Sequence, residues 1–349
     1  MTAWKAAIDA VAERARRARS DATDRWAASV PGLDTLDPWS ARVLSAGRVT
    51  VNFHPDRVAR GGRTVAEGLA TDGVYRSQWV TGISAGSRSA VHGGERQRFE
   101  HELFAGAYDQ VDPAAGIHPI YGAFDLLCDA HGGSPRFGSA FLVLRPHVRE
   151  RTTLCAGDSH RGPSDVGTFA TPWSILAVVA EQAASGALLD RDLDVEDLRR
   201  ALAGARPPTG ASRELDGYVE AQVHGGVTLA DDVEAIVVDP SFRGTRVEEH
   251  LSTAAERCGF ELAWHCGSEL HVDRVPDDFR GEEMPALARR VAGSGGVVDA
   301  RAIGLAAARE PFQESGPSGD APGSTPQQLK YLWHTVLRHG TDAPGAGRT

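Results

Sequence analysis

The stretch GYVEAQVHGGVTL, residues 217–229, constrains the fold more than any other. Tyr218, Glu220, Gln222 and His224 alternate with Val219, Ala221 and Val223. A period of two is that of a β-strand, whose side chains point to opposite sides in turn. Four polar groups therefore share one face and small apolar groups the other. A water-facing strand usually carries Thr, Lys and mixed charges. This one carries a carboxylate, an amide and an imidazole, and then stops at Gly225-Gly226. Two readings stand: an ordinary solvent face, or a face that presents chemistry to a ligand.

The rest of the chain shows what surrounds that strand. Further strands are expected at 48–53, 139–144, 235–238, 262–265 and 270–272. Helices are expected at 64–71, 96–105, 173–184, 195–202 and 246–258, and one long helix over 2–29. Strands and helices do not alternate as regular βαβ units, and long irregular segments separate them. The expected class is therefore α+β, with a mixed or antiparallel sheet. Residues 1–40 read as a helical N-terminal segment and 41–275 as the core. A helical extension covers 276–315 and a Pro/Gly/Ser-rich linker 316–325. The final segment, 326–349, opens with an amphipathic helix over 326–339 bearing Leu329, Leu332, Trp333, Val336 and Leu337, which must dock in cis or on a partner.

Composition excludes some classes. Of 349 residues, 41% are hydrophobic and 24% charged, with a net charge of −10. That is a globular profile without the basic face of a general nucleic-acid binder. No apolar run reaches the roughly 20 residues of a membrane span, and the N-terminus lacks the apolar stretch of a signal peptide. A cytoplasmic location is expected. The four cysteines form no CxxC and read as reduced thiols.

Four other stretches can carry chemistry. TVNFHPDR runs a strand into His54, Asp56 and Arg57, stopped by Pro55. DGVYRSQWVTGISAGSRSAVHGG is rich in donors and glycines, with Arg76, Ser77, Gln78, Thr81 and Ser84, and suits a phosphate- or ribose-bearing ligand. It has neither Rossmann nor P-loop spacing. SPRFGSAFLVLRP places Phe137, Gly138 and Ser139 at the start of an apolar strand. AGDSHRGPSDVGT supplies Asp158 and His160. No HExxH, HxH or EF-hand spacing is present, so no metal site is assigned.

The motifs VNFHPDR, YRSQWVTGIS, ERQRFEHELFAGAY, YGAFDLL, SPRFGSAFLVLRP, GDSHRGPSDVGT and EAQVHG resemble those of a bacterial family of unknown function, over roughly residues 45–275. More remotely, the order of a strand-ending His, a Phe-Gly-Ser strand and a late strand with Glu resembles the ADP-ribosyltransferase superfamily, whose members use NAD. The sequence has Phe-His-Pro-Asp where many of those relatives have His-Gly-Thr. The resemblance implies a transferase or NAD glycohydrolase acting on NAD and an unknown acceptor. Carried over by position, His54 or Arg57 holds the cofactor, Ser139 contacts the ribose, and Glu220 or Gln222 takes the catalytic Glu position. Arg57, Arg76, Ser77, Gln78, Thr81, Ser84, Tyr121, Phe137 and Gly138 become the cofactor-binding set. Two rivals remain: a metal-dependent hydrolase or phosphotransferase using His54, Asp56, Asp158, His160 and His224, and a non-enzymatic interaction module.

Overall fold

Eight strands join into one mixed, mostly antiparallel sheet in the computed structural model, which describes residues 2–32, 35–43, 45–83, 90–205, 212–309 and 325–343. In chain order they are β1 (Arg48–Phe53), β2 (Ile120–Asp125), β3 (Ala140–Leu144), β4 (Thr152–Ala156), β5 (Val166–Thr168), β6 (Val219–Val223), β7 (Val233–Val238) and β8 (Glu261–Trp264). The spatial order is β8-β7-β3-β1-β2-β6-β4-β5, and only β7 and β8 run parallel. The chain is α+β, as its irregular element order implies.

Three strands, β2, β4 and β5, have no counterpart in the sequence-based reading. All three are buried nearly throughout. A strand covered on both faces loses the alternation that identifies it. Gly122 and Gly167 weaken the pattern further. Gly122 is required: a Cβ there would run into the Thr50 carbonyl oxygen of the neighbouring strand.

The helix expected over 2–29 is two helices, Ala3–Arg17 and Arg19–Ser29, separated at Ala18. The break aims the two apolar stripes at different targets. Ala7 and Val11 join a small cluster with Leu103, Phe104, Tyr108, Cys155 and Val166. Ala22 and Trp26 join the main core, where their helix packs against Trp173–Ala184. The main core also takes in Leu329, Leu332, Trp333, Val336 and Leu337 of the last helix, Thr325–His339. That helix therefore docks on its own chain. Trp333 anchors it by donating its indole N–H to the Pro135 carbonyl, at 3.0 Å. Residues 316–324 of the expected linker, and Ser84, lie outside the described residues.

The pairing of the central strands changes partway along the sheet. β1 pairs with β2 only at Arg48↔Asp125, Val49↔Phe124 and Thr50↔Ala123. Beyond that point β1 stays with β3 as far as Phe53↔Ala140, while β2 stays with β6 as far as Ile120↔Val223. The sheet thus parts into two halves. Its closed end is held by the Arg48–Asp125 ion pair at 2.9 Å.

Candidate functional site

A cavity of about 450 Å³ opens where the sheet parts. Asn52, Phe53 and His54 come from one half; Ile120, Tyr121, Gly122 and Glu220 come from the other. The size suits a small organic ligand.

Local structure explains how each wall is placed. Pro55 ends β1, and the chain turns so that the Arg57 carbonyl accepts from Val65 N–H at 2.9 Å and Pro55 from Ala66 N–H at 2.8 Å. The following helix, Val65–Asp72, is capped by Thr64, whose hydroxyl accepts from Glu67 N–H, and ends at Gly73 in the left-handed region. Arg60, Arg63 and Thr64 join the wall from this turn. Tyr75, Arg76, Ser77, Gln78 and Thr81 continue it, and the last helix closes it with Gln327 and Lys330.

The lining is strongly basic for a chain of net charge −10. Seven cationic side chains line it: Arg57, Arg60, Arg63, Arg76, Arg96, Arg136 and Lys330. Three carboxylates do so: Asp72, Asp158 and Glu220. Some of this charge is internally held. Asp72 pairs with Arg63 at 3.2 Å and Arg76 at 3.1 Å, and Arg136 pairs with Asp216. Arg96 lies over the Tyr121 ring, 4.6 Å from its centroid. Arg57 differs. Its guanidinium makes no hydrogen bond or close ion pair among the described residues, and burial lowers its pKa against the pull of Asp56.

Glu220 lies in the cavity floor and is 5% exposed. Its Oε1 accepts from the Gln222 amide at 2.8 Å, and its Oε2 accepts weakly from Ser159 N–H at 3.4 Å. Burial, reinforced by the nearby Asp158 carboxylate, pushes it up to about 7. Beside it, Asp158 grips His160 Nδ1 at 2.7 Å. Burial works to raise Asp158, but the His160 hydrogen bonds and charge, together with Arg136, jointly hold it below the ordinary carboxylate value. His160 lines the cavity, and its Nε2 makes no hydrogen bond among the described residues.

His54 also lines the cavity. Its Nδ1 lies 3.3 Å from Ser139 Oγ, and the Trp333 ring packs edge-on at 5.6 Å. Burial, then Arg57, keeps it neutral. Tyr121 donates to Glu100 Oε1 at 2.9 Å. Buried Glu100 also receives Trp79 Nε1 at 3.3 Å and meets His118 Nδ1 at 3.0 Å, which fixes the Tyr121 ring.

The cavity gathers His54, Arg57, Arg76, Ser77, Gln78, Thr81, Tyr121, Phe137 and Glu220. Ser139, Gln222 and Gly138 lie outside its wall. Ser139 is buried behind His54, and Gln222 is buried behind Glu220. Gly138 is needed because a Cβ would overlap the Phe53 backbone. The polar face of 218–224 is not a solvent face either, since all four of its polar side chains are buried. Arg60, Arg63, Arg96, Gln327 and Lys330 were not singled out from sequence. The three-residue spacing of Arg57, Arg60 and Arg63 is the one local signal that points to part of this set.

Of the metal-ligand set of the rival reading, His54, Asp158 and His160 line the cavity, whereas Asp56 and His224 do not. Asp56 is absent from the cavity wall and packs against Gly304, where no Cβ would fit. His224 is buried on the far side of Gln222. Among the described residues, one grouping has metal-like spacing: His131, His265 and Cys266. Three of its four ring nitrogens are already engaged, His131 Nε2 with the Gly267 carbonyl at 3.1 Å, whereas His131 Nδ1 is buried without a hydrogen-bond partner among the described residues. His265 Nε2 donates to the Ser139 carbonyl at 3.0 Å, and Nδ1 accepts from Gly267 N–H at 2.9 Å. Burial raises the Cys266 thiol to about 11. All four cysteines are free thiols, and no helix among the described residues is long and apolar enough to cross a membrane.

Comparison with known proteins bears on this geometry. The model of a family described as "Protein of unknown function (DUF3626)" matches residues 48–339, and the chain belongs to that family. The "Gene 2 protein" of Mycobacterium phage L5 is 28% identical over 174 residues, covering 48% of this chain and 59% of the relative. The "Gene 2 protein" of Mycobacterium phage D29 is 27% identical over 203 residues, covering 58% of this chain and 68% of the relative. The chain thus spans about three fifths of the first of these relatives. The matched family region begins at β1 and ends at the last helix, so it contains every cavity residue named above.

Proposed function

We propose that this member of a family of unknown function binds NAD in the parted sheet and breaks the nicotinamide–ribose bond, passing ADP-ribose to an acceptor or to water. One observation carries the reading: a single buried carboxylate, Glu220, shares one cavity with a set of basic side chains that includes Arg57, which has no hydrogen bond or close ion pair among the described residues. A dinucleotide asks for this combination. Its pyrophosphate carries two negative charges that guanidinium groups match, and the departing nicotinamide leaves positive charge on the sugar.

The roles follow from position. Arg57 and its basic neighbours hold the pyrophosphate. Neutral His54 offers Nε2 to a ribose hydroxyl. Tyr121, its ring fixed through Glu100, stacks on a flat base. Glu220, ionised beside the cationic ligand, accepts from the ribose 2′-OH and stabilises the oxocarbenium-like state more than the ground state. The glycosidic C–N bond breaks with its electron pair going to nicotinamide. The acceptor oxygen or nitrogen then forms the new bond to the same carbon, and its proton goes to His160 Nε2, with Asp158 holding Nδ1 and stabilising the imidazolium.

Nicotinamide release from purified protein, with and without candidate acceptors, tests the reading. Glu220→Gln is expected to lower the rate on the order of 10²–10³-fold while circular dichroism stays unchanged. A folded wild type that neither binds nor consumes NAD, with protein, nucleic-acid and small-molecule acceptors supplied, overturns it.

A further inference from the structure

Behind Glu220 runs a line of buried polar side chains that the cavity does not touch. Tyr108 Oη lies 2.7 Å from His224 Nδ1, and His224 Nε2 lies 3.0 Å from Thr153 Oγ1. Thr153 donates to Gln222 Oε1 at 2.7 Å, and Gln222 Nε2 donates to Glu220 Oε1 at 2.8 Å. Every member is at most 5% exposed.

The direction of the line is fixed by chemistry. When Glu220 is ionised its carboxylate only accepts, so Gln222 turns its NH₂ to Glu220, and to Cys155 Sγ at 3.3 Å, and its oxygen to Thr153. The single hydroxyl proton of Thr153 is then spent on Gln222, so Thr153 must accept from His224 Nε2–H. That leaves His224 Nδ1 as a lone pair, which Tyr108 fills with its own proton. The line needs a neutral imidazole and a protonated phenol. Burial, then Arg151, lowers His224 to about 3, and burial raises Tyr108 above its ordinary value. Packing holds the outer end: Phe104 meets the His224 ring edge-on at 5.1 Å, and His118 stacks on Tyr108 at 5.2 Å.

We infer that Tyr108, His224, Thr153 and Gln222 are positioning residues, a one-way donor chain that fixes the orientation of the Glu220 carboxylate from behind. Burying so many polar groups on one sheet face is costly unless each is satisfied. An apolar face would fill the same volume. The chain instead ends on the one buried carboxylate of the cavity. Asp158, Ser159 N–H, Cys155, Tyr121 and Tyr218 are the other groups that face Glu220. Among the described residues, Gln222 is the hydrogen-bond donor to Oε1.

The inference rests on the Proposed function only in naming Glu220 as the catalytic carboxylate, and its primary test does not use NAD. Glutamate is labelled with ¹³C at the carboxyl, and the Glu220 signal is assigned by its loss in Glu220→Gln. Its titration is followed in wild type, Thr153→Val, Thr153→Ser and Tyr108→Phe. Thr153→Val removes the proton that fixes Gln222, so the amide can turn its oxygen to the carboxylate. The Glu220 pKa is then expected to rise by about one unit. Tyr108→Phe should produce a smaller rise, and Thr153→Ser should restore the wild-type value. With NAD, Thr153→Val is expected to lower kcat about tenfold at unchanged KM, and to move the acid-side limb of the pH profile with the Glu220 pKa. Titration of Glu220 unchanged within about 0.2 unit in both Thr153→Val and Tyr108→Phe overturns the inference, whatever NAD does. A shifted titration in a protein that does not consume NAD supports the positioning chain and overturns only the NAD reading. Should Thr153→Val fail to fold, Tyr108→Phe, which removes one oxygen, decides alone.

Discussion

Glu220 shows how a residue set for chemistry weighs on stability. Its carboxyl is pushed from 4.5 to about 7 in the folded chain. A raised acid pKa means that the folded state holds the proton more tightly. The contribution of Glu220 to stability is therefore greatest below pH 4.5 and declines as pH rises through 7. Two to three pKa units at 1.36 kcal/mol each make the cost about 3 kcal/mol at pH 8. Glu220→Gln carries no such charge and is expected to unfold at higher urea than wild type at pH 8, with the gap closing at pH 4.5. Equal offsets at both pH values would show that Glu220 is not strained by burial. Arg57 poses the same trade in the opposite sign. Arg57→Met is expected to raise thermal stability while weakening binding of ADP-ribose about tenfold or more, read by calorimetry. Unchanged affinity would remove Arg57 from the ligand's surroundings.

At the scale of elements, the parted strands and the last helix matter most. Gly122 lets two backbones approach at the point where pairing between β1 and β2 ends. Gly122→Ala is expected to cost about 1–3 kcal/mol, measured by urea midpoint; a neutral result would mean that the strands are free to move apart. The last helix is held by Trp333, which is 1% exposed and touches both Pro135 and His54. Trp333→Ala is expected to cost about 3–5 kcal/mol and to loosen the His54 side of the cavity. The apolar stripe of this helix was legible in sequence because helical period is a local property. Its partner was not, because Pro135 is nearly two hundred residues away. β2 was illegible for the opposite reason: with both faces covered, no alternation survives to read.

The whole molecule should be sensitive to acid. His54, His224, His265 and His334 are all held neutral by burial, with His224 lowered to about 3 and His265 to about 4. A lowered histidine pKa means that the unfolded chain binds the proton first, so stability is lost as pH falls below 6.5. Glu220 and Asp56, raised to about 7 and about 6, oppose this, as do Asp125, Asp190, Glu269 and Asp299, which burial also raises. The urea midpoint is expected to drop between pH 7 and pH 5; a rise would show that the carboxylates dominate.

The sequence by itself determined the strand expected at 218–223, observed as Val219–Val223, and the chemistry of its polar side chains, because backbone geometry imposes a period of two on any strand. It also identified His54, Arg57 and the donor-rich segment after residue 72 as functional candidates, since those residue types have little reason to gather at turns. Only the tertiary structure decided which of them meet. It turned Glu220 to the cavity and buried Gln222 behind it, and it assigned Ser139 to His54 rather than to a ligand. It also brought basic side chains from positions 57 to 330 around one opening. The reason is physical: side-chain periodicity is set within a few residues, whereas a cavity forms where two halves of a sheet cease to pair, and that depends on contacts far apart in the chain.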